Sequence, residues 1–249
     1  AIATVAVASL VLGVRQMGWV QRFELTAYDR MIQLAPEQGP DPRLLLVGIS
    51  DVDLQTLQRP TPSDADVAKV IETLQTYQPR VIGLNLYREL PQDPGREALM
   101  AQLQAPNVVV IMNLGSEDSP PIPPPPGIPD ACIGFNDFPI DPDGVIRRSL
   151  LLGTTEEGNF FHSFAFQTAL KYLAPEGIQP QNNPADENEI LLGNVPLTRL
   201  TPTSGGYQGM DAGGYQILLT YRSADEVAST VAFTDVLAGT IDPELVRDK

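Results

Sequence analysis

Three uninterrupted apolar runs constrain this chain most: Leu44–Ser50 (LLLVGIS), Val81–Tyr87 (VIGLNLY) and Val108–Asn113 (VVVIMN). A run with no polar alternation suits a strand covered on both faces. The segments between the runs have helical periodicity. Ser63 can cap a helix whose inward face is Val67, Val70, Ile71 and Leu74, and Pro79 closes it. Residues 96–104 come next, with Leu99, Met100 and Leu103 facing inward. Right-handed crossovers turn this β-α-β-α-β order into a parallel sheet. The predicted class is α/β, with a mostly parallel central sheet and helices on both faces.

The second half, roughly 131–249, reads as β-rich. It is entered through residues 119–129 (SPPIPPPPGIP), which proline excludes from helix and central strand. They suit an extended connector, or alternatively a docking motif for a peptide-binding module. Segments 133–138 and 145–152 are expected as strands joined by a Pro-rich turn, with Asp143-Gly144 at its left-handed corner. Segment 161–173 is expected as a largely buried helix, and 175–189 as a polar loop. Residues 190–192 and 196–200 read as a hairpin around Gly193-Asn194, and 204–214 as a flexible turn. Residues 216–221 form a strong strand pattern. A short strand at 230–233 then precedes a helical turn at 234–238 that Gly239 ends.

Residues 1–14 (AIATVAVASLVLGV) carry no charge. They are shorter than the ~20 apolar residues of a full span, and they lack a basic leader region. They read as the end of a transmembrane helix, with Arg15 and Trp19 at the interface. The alternative is a buried N-terminal element of a soluble domain. Residues 15–35 read as a stalk helix, with Val20, Phe23, Ala27, Met31 and Leu34 as an apolar stripe and Pro36 as its end. Such a stripe could pack on the domain or on its copy in a homodimer. Residues 36–249 would then form the extracytoplasmic domain.

Charge and composition exclude several classes. There are 31 acidic residues against 16 basic, a net charge of −15, which repels nucleic-acid backbones. One cysteine, Cys132, allows no internal disulfide and no multi-cysteine zinc site. One histidine, His162, excludes multi-histidine metal centres, and no cofactor is expected.

Ligands of open α/β sheets bind at the carboxyl ends of the strands. Those positions are Ser50, Asp51, Asp53, Asn85, Tyr87, Arg88 and Asn113. They read either as a polar pocket or as turn and cap chemistry, with Asp51 and Asp53 capping a helical turn. Asp137, Asp141 and Asp143 could supply oxygen ligands to a cation. However, Arg147-Arg148 stand where a metal loop needs a carboxylate, so a hairpin turn with carboxylates paired to arginines is the simpler reading. No nucleophile has an adjacent base. His162 lies in FFHSFAF, and Ser204-Gly205-Gly206 lacks the Lys-Ser/Thr of a phosphate loop.

Together these segments resemble the second type of CHASE domain, a family of extracytoplasmic sensory domains. The resemblance rests on Tyr28-Asp29-Arg30, on Asp41-Pro42-Arg43 with LLLVGISDVDL, and on QPRVIGLNLY. It continues through GFNDFPIDPDGVIRRS, YQILLTYR and AFTDVLAGTIDPELVRDK. Two departures are Arg59-Pro60-Thr61-Pro62, where Trp-Pro-type residues are usual, and Asn85, where an aspartate is common. The resemblance implies a sensor without catalysis, anchored by an upstream membrane helix. It also implies a small-molecule or protein ligand and a cytoplasmic output module such as a nucleotide cyclase or protein kinase. A further apolar strand is expected directly after Lys249. The rivals are a doubly wound hydrolase or transferase and a purely structural dimerisation ectodomain.

Overall fold

The computed structural model describes residues 2–116, 119–155, 157–223 and 227–249. Its centre is a parallel sheet of β2 (Ile82–Leu84), β3 (Val108–Met112) and β4 (Ile133–Phe135), in that order. Ile82 sits opposite Val108, and Val110 opposite Ile133. All five β3 residues are buried, as their unbroken apolar run predicts.

Alternation along β2 decides what covers each face. Ile82 and Leu84 join the main core with α4 (Asp64–Thr76) and α5 (Arg96–Leu103). Between them, Gly83 turns to the other face, under the ring of Phe164 in α6 (Phe164–Leu173). Gly134 does the same on β4: a Cβ there would lie 2.5 Å from Phe164 Cα. Bare backbone at these two positions lets α6 lie close on the sheet.

The helices start where short polar side chains close their ends. Ser63 and Asp66 form a reciprocal capping box at α4. Ser50 and Asp53 form another at α3 (Asp51–Leu57). Ser163 accepts from Phe166 N at the start of α6.

The arrangement departs from the expected continuous sheet. The first apolar run, β1 (Leu45–Gly48), pairs in parallel with β11 (Ser229–Ala232), and the two form a sheet of their own. Segments 133–138 and 145–152 do not form a hairpin. Instead β5 (Arg148–Thr154) lies antiparallel between β10 (Tyr215–Leu218) and β6 (Phe160–His162). The expected helix at 161–173 begins at Phe164, because residues 160–162 complete that sheet and Ser163 caps the helix after them. The expected loop 175–189 contains β7 (Pro180–Asn183) and most of β8 (Asp186–Leu192). β8 pairs with β7 and with β9 (Val195–Leu197), the latter through the foreseen Gly193-Asn194 turn. A smaller core of Leu151, Phe166 and Tyr215 lies beneath these antiparallel strands. The chain closes with α7 (Phe233–Ala238), stopped by Gly239 at φ +69°.

Residues 15–35, expected as one stalk helix after the apolar run 1–14, do not form a single helix: the first helix runs on to Gln16 and a second begins at Gln21. α1 (Ile2–Gln16) and α2 (Gln21–Gln33) meet at a bend of 85°. Gly18 makes the corner at φ +75°, a conformation that costs other residues far more than glycine. No single helix among the described residues is long and apolar enough to cross a membrane; the bent pair passes that test only together. α1 buries none of its residues. α2 turns Leu25 inward and leaves Phe23, Met31 and Leu34 exposed, so the expected stripe does not face the body. The 204–214 segment is tethered to these helices rather than free. Arg15 Nη2 donates to Gly205 O at 2.7 Å, and Gln208 N donates to Gln21 Oε1 at 2.7 Å.

Candidate functional site

At the carboxyl edge of the central sheet, residues from all three strands converge. The Asn113 amide donates to Asp137 Oδ1 at 2.7 Å, and Leu114 N donates to Asp137 Oδ2 at 2.9 Å. Alongside, Asn136 Nδ2 donates to Asn85 Oδ1 at 3.0 Å. Burial pushes the Asp137 carboxyl up, with the Leu114 N–H opposing. Burial likewise raises the neighbouring Tyr87 phenol, and the Asp137 charge adds to the effect. The edge therefore offers amide donors and acceptors, a phenol and one half-buried carboxylate. That set can orient a polar small molecule. Three of the expected residues, Asn85, Tyr87 and Asn113, lie here. Asn136 and Asp137 join them, and their place directly after the third parallel strand was the available signal.

The other expected residues are engaged elsewhere. Ser50 and Asp53 are the α3 capping box, and Asp53 is also bound by Thr234 at the start of α7. Asp51 is exposed in the first turn of α3. Arg88 is buried, with Nε 3.2 Å from Asp64 Oδ1 and Nη2 donating to Pro62 O at 3.0 Å. Desolvation lowers its pKa, and the Asp64 charge counters that effect. These contacts join the loop before α4 to the loop after β2.

The Asp-rich turn forms a second polar centre. Arg147 is 2% exposed and holds three carboxylates. Its Nη1 donates to Asp141 at 2.8 Å, and its Nη2 donates to Asp143 at 2.7 Å. Its Nε and Nη2 reach the two oxygens of Asp29 in α2, each at 2.7 Å. Arg148 binds the other oxygen of Asp141 and donates to Gln216 Oε1 at 2.6 Å. The Tyr207 hydroxyl donates to Asp141 Oδ2 at 2.8 Å, and burial raises its pKa. Arg147 holds Asp143 below the usual carboxylate range, and the carboxylates in turn raise Arg147.

Two guanidinium groups thus supply the positive charge among Asp141 and Asp143, while Asp137 serves the other cluster. Among the described residues, no three of His, Cys, Asp and Glu come together as a ligand set. His162 Nδ1 lies 2.6 Å from Gln167 Oε1, and Cys132 is buried. Asp29, Tyr207 and Gln216 carried no sequence signal for this centre beyond the places of Asp29 and Gln216 in segments of the family resemblance.

The profile of the CHASE2 domain family matches residues 5–249, essentially the whole chain. No curated protein and no solved structure matches it. With the family profile spanning most of α1, all of α2, the parallel sheet and the arginine centre, the chain belongs to the CHASE2 domains, an extracellular sensory family rather than a catalytic one.

Proposed function

We propose that this chain is the signal-input domain of a membrane-anchored receptor and passes ligand or partner binding to a cytoplasmic output module such as a nucleotide cyclase or protein kinase. The observation that carries the reading is the Arg147–Asp29 clasp. One buried guanidinium joins the body of the domain to the helix after α1. A change in the body therefore has a rigid route to α2. The uncharged, wholly exposed run that opens α1 suits the end of a membrane helix. The candidate ligand edge is Asn85, Tyr87, Asn113, Asn136 and Asp137. Binding there would favour one of two placements of α2, and a homodimer would let two stalks shift against each other. The strongly acidic surface disfavours nucleic acid as a partner.

A thermal-shift screen tests this with amino acids, nucleotides, organic acids, sugars and divalent ions. A raised melting point for one class supports sensing, because a ligand that binds the native state stabilises it by mass action. That shift should vanish in Asn113→Ala. A flat screen from a protein that dimerises would leave a structural ectodomain as the reading.

A further inference from the structure

The charges of α2 are sorted by face. Its two acids turn toward the body: Glu24 takes Arg15 at 2.8 Å, and Asp29 takes Arg147. Leu25 is buried beside them, and the Tyr28 hydroxyl donates to Leu219 O at 3.2 Å. The outward face holds Arg22 and Arg30, both exposed, and no carboxylate. Phe23, Ala27, Met31 and Leu34 run along that same face at helical spacing, with Phe23 73% and Leu34 83% exposed. Trp19, at the corner with α1, is exposed as well. On a chain of net charge −15, an apolar stripe with two cations and no anion fits an anionic partner.

The bend says which way this face looks. α1 stands at 85° to α2 and buries none of its residues, so it projects away from the body, as the exposed face of α2 does. A helix that meets a membrane helix close to a right angle lies in the plane of the bilayer. We propose that α2 is an interfacial helix, flat on the headgroup layer of an anionic bilayer, with Phe23, Ala27, Met31 and Leu34 turned into it and Arg22 and Arg30 at the lipid phosphates. This placement rests on the reading of α1 as the end of a membrane helix. Amphipathic helices of this kind bind through buried apolar area together with attraction to anionic lipid. The two arginines keep α2 out of the hydrocarbon itself, and their long side chains reach the phosphates from the headgroup level. The consequence is an oriented domain. Leu25, Tyr28 and Asp29 fix α2 to the body, so the bilayer holds the whole body in one orientation, with its acidic remainder turned away from a surface that repels it.

Nitroxide labels on Val5→Cys, Ala27→Cys and Leu34→Cys test this in the intact protein, in vesicles of equal parts phosphatidylglycerol and phosphatidylcholine. Cys132 is buried and stays unlabelled. Access of oxygen against a water-soluble nickel chelate gives each label's depth. Val5 should read deep in the hydrocarbon, and Ala27 and Leu34 should share one shallow depth. A helix rising along the bilayer normal would instead set Leu34 about 10 Å beyond Ala27, at ~1.5 Å per residue. That offset, or both labels in water while Val5 is deep, would overturn the flat placement and leave the membrane anchor standing. Val5 in water would remove the anchor and the placement with it. Spin–spin broadening between copies at Leu34 would assign the face to a second copy of this chain and overturn the proposal. Arg22→Glu with Arg30→Glu, both at exposed positions, should raise nickel access at Ala27 and Leu34 at least about fivefold and leave Val5 unchanged. Unchanged access at Ala27 and Leu34 in that variant would refute the lipid contact.

Discussion

Asp53 Oδ1 accepts from both the backbone N and the hydroxyl of Thr234, at 2.9 and 2.6 Å, across 181 residues of chain. Its other oxygen accepts from Ser50 N and Oγ at 2.8 and 2.5 Å. One buried carboxylate therefore closes the cap of α3 and fixes the start of α7. The hydrogen bonds from Ser50 and then Thr234 hold its pKa well below the usual carboxylate range. Asp53→Ala orphans these donors at a site 1% exposed. The expected loss is about 3 kcal/mol in urea unfolding. Asp51→Ala, exposed in the same turn, should cost less than about 0.5 kcal/mol.

The Arg147–Asp29 clasp predicts energetic coupling between α2 and the body. A double-mutant cycle of Asp29→Asn and Arg147→Met should return an interaction energy of about 1–3 kcal/mol. Additive effects would mean that the contact does not hold α2. Acid should weaken this centre. The Asp143 pKa is below its ordinary 3.8, so its contribution is complete above that value and is lost as pH falls through the folded pKa.

Asp137 has the opposite sign. Its folded pKa lies above 3.8, so the folded state binds the proton more tightly than the unfolded chain does. Its titration favours folding below pH 3.8, and the contribution is lost as pH rises through the folded value. NMR titration of the carboxyl carbons should place Asp137 above the exposed aspartates. Asp137→Asn should flatten this part of the stability profile between acid and neutral pH.

The seat of α6 predicts a steric result. Gly134→Ala puts a methyl group 2.5 Å from Phe164 Cα and 2.7 Å from Phe164 N, both backbone atoms. Overpacking of this kind should cost about 1–3 kcal/mol or more, read as a lowered melting temperature.

The elements that read correctly from sequence share a physical basis. The α4 cap, the buried run of β3 and the Gly193-Asn194 turn depend on side chains within a few residues of one another. Where reading failed, a distant partner overrode the local pattern. Gly18 turned the chain between α1 and α2, and α2 turned Leu25 rather than Phe23 toward the body. Residues 180–189 look polar and loop-like, yet Pro180, Gln181 and Asn182 pair with Leu192, Leu191 and Ile190 at the apolar end of β8, which draws them into a strand. At the candidate site, Asn85, Tyr87 and Asn113 were legible because each ends a recognisable strand. Arg88 ends the same strand region, but a buried carboxylate 24 residues away in sequence, Asp64, claims it.

By itself the sequence determined the α/β class and the order of the first helices and strands, because periodic burial and capping are local properties; the order of its motifs carried the resemblance to the CHASE2 family. Only the tertiary structure decided that β1 pairs with β11, that Arg147 reaches back to Asp29, and that Asp53 serves Thr234. Those choices depend on which distant surfaces meet when the chain closes, and no residue's local pattern carries that information.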